Sequence, residues 1–139
     1  MKELILLRHA KSSWQLNVAD RHRPLTEKGM LRIQNMALAS SEVFSNAEII
    51  FTSPANRACH TASIMAHSLN IPFEKVVLVE DLYTFEASKL IHYITTPKNI
   101  FLPEVKTSFA FLLGSILFAI SGALDLANIH QATYLFVIG

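Results

Sequence analysis

Arg8 and His9 stand side by side directly after the first apolar run of the chain, residues 4–7. A neutral imidazole nitrogen is a competent nucleophile, and a guanidinium is a permanently charged, planar donor that matches phosphate oxygens. A second arginine, Arg57, closes the segment Thr52-Ser53-Pro54-Ala55-Asn56-Arg57, where a strand pattern gives way to a helical one. A helix N-terminus adds free N–H groups and a favourable dipole for an anion. Together these residues suit phosphoryl transfer. Arg8 and Arg57 would hold and neutralise the phosphoryl group, and His9 would attack phosphorus to give a phosphohistidine. Because the charge of the transferred group sits on its peripheral oxygens, positive donors around it carry most of the stabilisation. Lys11 and Ser12, just after His9, are further candidate phosphate donors. Ser53 reads first as a helix N-cap and second as a ligand. The scheme calls for no metal and no cofactor, and the sequence has no Gly-rich phosphate loop.

For such a site to exist, strands must end where these side chains begin. Residues 4–7 read as a first strand and 47–51 as a second. Residues 76–79 read as a third strand, ending in Glu80-Asp81. Between them lie helical patterns. Thr26 is a candidate N-cap, with Glu27 in the first turn and Ile33, Met36, Ala37 and Leu38 on one face. Ser53-Pro54 opens a second helix through Arg57, Thr61, Ile64, Met65 and Leu69, closed by Asn70 and Pro72. Residues 85–94 form a third. Residues 108–113 and 134–138 are candidate later strands. Strands alternating with helices predict an α/β fold with a mainly parallel sheet, and ligands in such sheets bind at the strand carboxyl ends.

The bulk composition agrees. A chain of 139 residues is about one domain, and 51% apolar content is enough for a core. A net charge of +1 points to no nucleic-acid partner. One cysteine, Cys59, excludes an internal disulfide framework and fits a reducing compartment. The N-terminal apolar stretch is too short for a signal peptide, so cytoplasmic residence is expected. Residues 107–124 carry no charge. They read as a buried strand followed by a buried helix in preference to a membrane span.

The wider pattern is specific. Leu6-Leu7-Arg8-His9-Ala10-Lys11-Ser12-Ser13-Trp14 resembles the opening of the histidine phosphatase superfamily, in particular its small SixA-type phosphohistidine phosphatases. Asp20-Arg21-His22-Arg23-Pro24-Leu25-Thr26 with Lys28-Gly29 agrees in order and spacing. So do Thr52-Ser53-Pro54-Ala55-Asn56-Arg57-Ala58 with Thr61-Ala62, and Leu82-Tyr83 with Glu86-Ala87-Ser88. The likeness is strongest over residues 3–95, and 96–139 diverge within what reads as a single domain. It implies a phosphoglycerate-mutase-like three-layer fold, with helices on both faces of the sheet and an incomplete or divergent C-terminal part. It implies His9 as phospho-accepting nucleophile and Arg8 and Arg57 as phosphate ligands. Glu80, or less favourably Asp81, lies near where larger relatives carry a proton donor. The substrate would be a phosphohistidine-bearing protein or a related small phosphomonoester. The rivals are a general acid phosphatase of the same superfamily and a catalytically impaired phosphate- or partner-binding relative.

The family pattern also asks for a second histidine, in a Gly-His-Asn-Pro-like turn after a later strand. Three registers offer the strand: residues 109–113, 116–120 and 134–138. None supplies the histidine within this sequence, and His130 precedes the last strand. Ending on Gly139, directly after an apolar strand pattern, the chain reads as truncated or aberrant there. Loss of one such group implies a rate lower by about 10²–10³ than that of a complete relative. Elsewhere the expectations are bland. His60 and His67 lack a third metal ligand, and His22 belongs to a solvated basic loop with Arg21 and Arg23. Cys59 is inert, and Trp14 packs the loop or lines the mouth of the site.

Overall fold

The structure, a computed structural model, describes residues 2–96 and 132–138. Four strands alternate with helices: β1 (Lys2–Arg8), α1 (Glu27–Ala39), α2 (Ser41–Phe44), β2 (Ile49–Thr52), α3 (Asn56–Ser68), β3 (Val76–Leu78), α4 (Ala87–Thr95) and β4 (Ala132–Ile138). The sheet order is β1-β4-β2-β3, and every pairing is parallel. Parallel strands need crossover connections; α3 supplies the one between β2 and β3.

β1 shows why a continuous apolar run suits this sheet. Successive side chains point to opposite faces, yet Leu4, Ile5, Leu6 and Leu7 are all buried. Both faces of the strand are therefore covered, as expected for a parallel sheet. Ile5 and Leu7 join Ile33 and Ala37 of α1, Ile50 of β2, and Ala62 and Met65 of α3 in one cluster. Each such aliphatic side chain contributes about 1.5–3 kcal/mol on burial, so this cluster fixes the height of β1 and β2 against α1 and α3.

Local signals set the element ends. The Thr26 hydroxyl accepts from Gly29 N–H at 3.0 Å and caps α1. A Cβ on Gly29 would come within 2.4 Å of the Lys11 carbonyl oxygen, so glycine lets α1 approach the loop after β1. Asn70 closes α3 with a φ of 53°, and Ile71 N–H returns to the Ala66 carbonyl at 2.8 Å. One local expectation fails. Ser53 does not cap α3, because the helix starts three residues later, with Ala55 at the N-cap position and no side-chain cap. The Ser53 hydroxyl instead accepts from Ala55 N–H at 3.3 Å, closing a small turn that delays the helix.

Because the strands run parallel, their carboxyl ends share one edge. Arg8 lies opposite Ile138, and Thr52 lies opposite both Val137 and Leu78. Residues 134–138, the third of the candidate registers, thus form the strand between β1 and β2. The other two registers, the candidate strand at 108–113, the apolar stretch 107–124 and His130 lie outside the described residues. Among the described residues no helix is long and apolar enough to cross a membrane.

Candidate active site

The loop that leaves β1 is held from two sides. Ala10 N–H donates to the Thr61 hydroxyl at 3.0 Å, and that hydroxyl donates to the Arg57 carbonyl at 2.7 Å. The loop is thereby tied to the first turns of α3. On its other side, Ser13 N–H donates to the Pro24 carbonyl and Thr26 N–H to the Lys11 carbonyl, both at 2.8 Å. A bridge between Ser12 and Leu25 completes this contact. The two sequence blocks 8–14 and 20–26 are therefore halves of one structural unit.

His9 is half-buried at the head of this loop. Its Nδ1 lies 2.7 Å from the Ala10 carbonyl oxygen. A carbonyl can only accept, so Nδ1 carries the proton and the lone pair of the neutral ring sits on Nε2. Burial pushes the His9 pKa below 6.5, and the charges of Arg57, Arg8 and Arg23 push the same way against the opposing Ala10 contact. The ring is thus kept neutral, with one defined nitrogen available for attack, among three guanidinium groups.

Arg57 is only 2% exposed. A buried guanidinium needs partners, and Asp20 supplies them. Nη1 donates to the Asp20 main-chain carbonyl at 2.6 Å, and Nη2 donates to Asp20 Oδ2 at 2.9 Å. Nε is buried with no partner among the described residues. Asp20 also accepts from Arg23 Nη1 and from the Tyr83 hydroxyl, each at 3.0 Å. Burial alone would push its carboxyl up, but the hydrogen bonds from Arg57, Arg23 and Tyr83 outweigh this and hold it below the ordinary value. Tyr83 is raised, first by burial and then by Asp20.

The residues expected from sequence divide into two groups. His9, Arg8 and Arg57 come together: Arg57 stands in the first turn of α3, and Arg8, exposed on the last position of β1, still acts electrostatically on His9. The remaining candidates are engaged elsewhere or face solvent. The Ser12 hydroxyl is buried and accepts from Arg23 Nη2. Ser53 is fully buried in its turn, and Lys11 projects into solvent. Glu80 forms an exposed pair with Arg21 at 2.6 Å, its side chain 72% accessible. Asp81 is exposed too. His22, His60 and His67 are exposed, and among the described residues no group of His, Cys, Asp and Glu is placed to hold a metal. Cys59 donates to the Ser53 carbonyl, and burial pushes its thiol pKa up.

Arg23 departs from the solvated-loop expectation. It is 6% exposed, donates to the Ser13 carbonyl as well as to Ser12 and Asp20, and stacks against Trp14 with Cζ 3.1 Å from the ring centroid. Asp20, Arg23, Thr61 and Tyr83 all lie inside the family-like blocks, yet the sequence alone assigns them no role. The Asp20–Arg23 spacing is a local signal, whereas Arg57 and Tyr83 meet Asp20 only through the fold.

The histidine phosphatase superfamily (branch 1) family model matches residues 4–83, more than half of the chain. The chain belongs to this superfamily, and its class is that of phosphatase-like hydrolases. Comparison with curated proteins finds no match. Among solved structures, it resembles the protein histidine phosphatase SixA complexed with tungstate, with a TM-score of 0.61 at 17% identity over 96% of this chain and 67% of that one. A protein named as phosphohistidine phosphatase SixA from Nakamurella multipartitia gives 0.58 at 18% identity, over 97% and 57%. A phosphoglycerate mutase from Bacillus anthracis gives 0.52 at 17% identity, over 97% and 73%. These likenesses establish the phosphoglycerate-mutase-like α/β fold. The chain spans from 57% to 73% of the lengths of these three structures.

Proposed function

We propose that this chain is a phosphohistidine phosphatase-like hydrolase that acts through a phosphohistidine on His9. The observation that carries the reading is the state of His9: Nδ1 fixed as a donor to Ala10, Nε2 left with its lone pair, and Arg57 close enough to act on it, its Nε buried and without a partner among the described residues. In the first step the Nε2 lone pair attacks phosphorus. The bond from phosphorus to the leaving nitrogen or oxygen breaks and the leaving group departs with its electron pair; an imidazole already protonated on its other nitrogen leaves as the neutral ring, and an oxygen leaving group takes up a proton from solvent. Arg8 and Arg57 hold the phosphoryl oxygens throughout. Water then attacks phosphorus on His9, releasing inorganic phosphate and restoring the imidazole. The tungstate held by the SixA structure supports a tetrahedral oxyanion as the group this fold accommodates.

Phosphohistidine on a protein is the preferred substrate class, with small phosphomonoesters second. A protonated imidazole leaves without help, which suits a site whose candidate acid, Glu80, is exposed and paired to Arg21. The free thiol of Cys59 fits a cytoplasmic setting. The test is release of phosphate from a phosphohistidine-bearing protein and from p-nitrophenyl phosphate. The reading expects hydrolysis of both, with the higher kcat/KM on the phosphohistidine substrate, and loss of both in His9→Ala. Higher kcat/KM on p-nitrophenyl phosphate would favour a general acid phosphatase. Phosphate binding with no hydrolysis of either would favour a binding relative.

A further inference from the structure

We infer that Asp20 is a positioning residue of the oxyanion site: it grips one end of the Arg57 guanidinium and so commits the Nε edge of that group to the phosphoryl oxygens. The inference rests on the reading of His9, Arg8 and Arg57 as a phosphoryl site and adds a residue to which that reading gives no part.

A guanidinium offers oxyanions two forked edges, one from Nη1 and Nη2 and one from Nε and Nη2. Asp20 occupies the first. Its main-chain carbonyl takes Nη1 at 2.6 Å and its carboxylate takes Nη2 at 2.9 Å. What remains is the second edge, whose Nε is buried and without a partner among the described residues. Leaving a buried charged donor unsatisfied is costly, so a protein that tolerates it at the carboxyl edge of its sheet has kept that edge for an incoming acceptor. Asp20 is itself seated from three directions. Arg23 Nη1 holds Oδ1, the Tyr83 hydroxyl holds Oδ2 beside Arg57, and the short turn Asp20–His22 fixes the main chain. Arg23 is in turn anchored to Ser12 and Ser13 of the His9 loop. The carboxylate therefore couples the loop that carries the nucleophile to the helix that carries Arg57.

Placing a carboxylate next to a phosphate site opposes anion binding on charge alone. This gives the inference a distinctive sign. If Asp20 merely tempers the charge of the pocket, its removal tightens oxyanion binding. If it positions Arg57, its removal loosens binding even though a negative charge has been lost.

The experiment is titration of the full chain with tungstate by calorimetry, for the wild type, Asp20→Asn, Arg57→Lys and the double variant. Asp20→Asn is nearly isosteric but can no longer accept from Arg57, Arg23 and Tyr83 together. The expected result is at least tenfold weaker binding in Asp20→Asn. Adding Asp20→Asn to Arg57→Lys, which has no Nε edge to aim, should cost less than a further twofold. Binding by Asp20→Asn as tight as wild type, or tighter, overturns the inference while leaving the phosphoryl site intact. Failure of the wild type to bind tungstate overturns the phosphoryl-site reading and the inference with it. A second measurement needs no variant. Tungstate should shift the Arg57 Nε–H resonance in the ¹⁵N spectrum of the wild type; binding without that shift also overturns the inference.

Discussion

The two sides of the candidate site are built differently. On the side of β1 and α3, Arg8 is exposed, but Arg57 and Arg23 are buried and multiply bonded: they are 2% and 6% exposed, and both close on Asp20. On the side that follows β3, Glu80 and Asp81 face solvent, and among the described residues Glu80 pairs with a surface arginine. Tyr83 crosses between them, reaching Asp20 with its hydroxyl while stacking edge-on against exposed Phe85. A buried, hydrogen-bonded ion network can hold a geometry, whereas an exposed pair is screened and worth little. The proposed nucleophile and its proposed ligand Arg57 are therefore preorganised and the candidate proton donor is not. That asymmetry suits a substrate whose leaving group brings its own proton.

The strongest attack on this comparison is on the built side. Arg57→Ala is expected to lower kcat/KM by about 10²–10³, the usual consequence of deleting one preorganised donor at a developing oxyanion; steady-state kinetics on a phosphohistidine substrate checks it. Thr61→Val tests the tie between the His9 loop and α3. It leaves Ala10 N–H without its acceptor and should cost about 1–3 kcal/mol of stability in urea unfolding. Gly29→Ala should cost a similar ~1–3 kcal/mol, because its Cβ meets the Lys11 backbone rather than a movable side chain.

The pH dependence sharpens the same side. With the His9 pKa depressed by burial and by neighbouring arginines, the acid limb of kcat/KM assigned to His9 should fall below pH 6.5, and a proton titration of its ring by NMR locates it directly. The sign for stability follows. The unfolded chain binds the proton first as pH falls, so the contribution of neutral His9 is present above the unfolded value and declines below it, levelling once the folded pKa is passed. The smallest effect belongs to the other side: Glu80→Gln should change kcat/KM by less than about threefold, in line with an exposed pair. A large loss there would erase the asymmetry between the two sides.

Much of this was legible in the residues themselves. The run 4–7 had to be buried, Thr26 had the type and position of a cap, and Arg57 followed a strand at the start of a helix; the structure places each accordingly. Asp20 was not legible as a partner, because Arg57 and Tyr83 lie 37 and 63 residues away and only the sheet order brings them near. Arg23 looked solvated because an arginine in a charged loop ordinarily is; its burial depends on a carboxylate and an indole closing over it. Ser53 looked like a cap because serine before proline usually is one. Here the turn it makes with Ala55 takes up the capping hydroxyl before α3 begins.

The central claim is that His9 Nε2 accepts the phosphoryl group. Incubation of the chain with a phosphohistidine-bearing protein, followed by ³¹P NMR and mapping of acid-labile phosphate, tests it most directly. The account predicts phosphate on His9 alone, bonded to Nε2, and none on His9→Ala. Phosphate bonded to Nδ1, or found undiminished in His9→Ala, would contradict it.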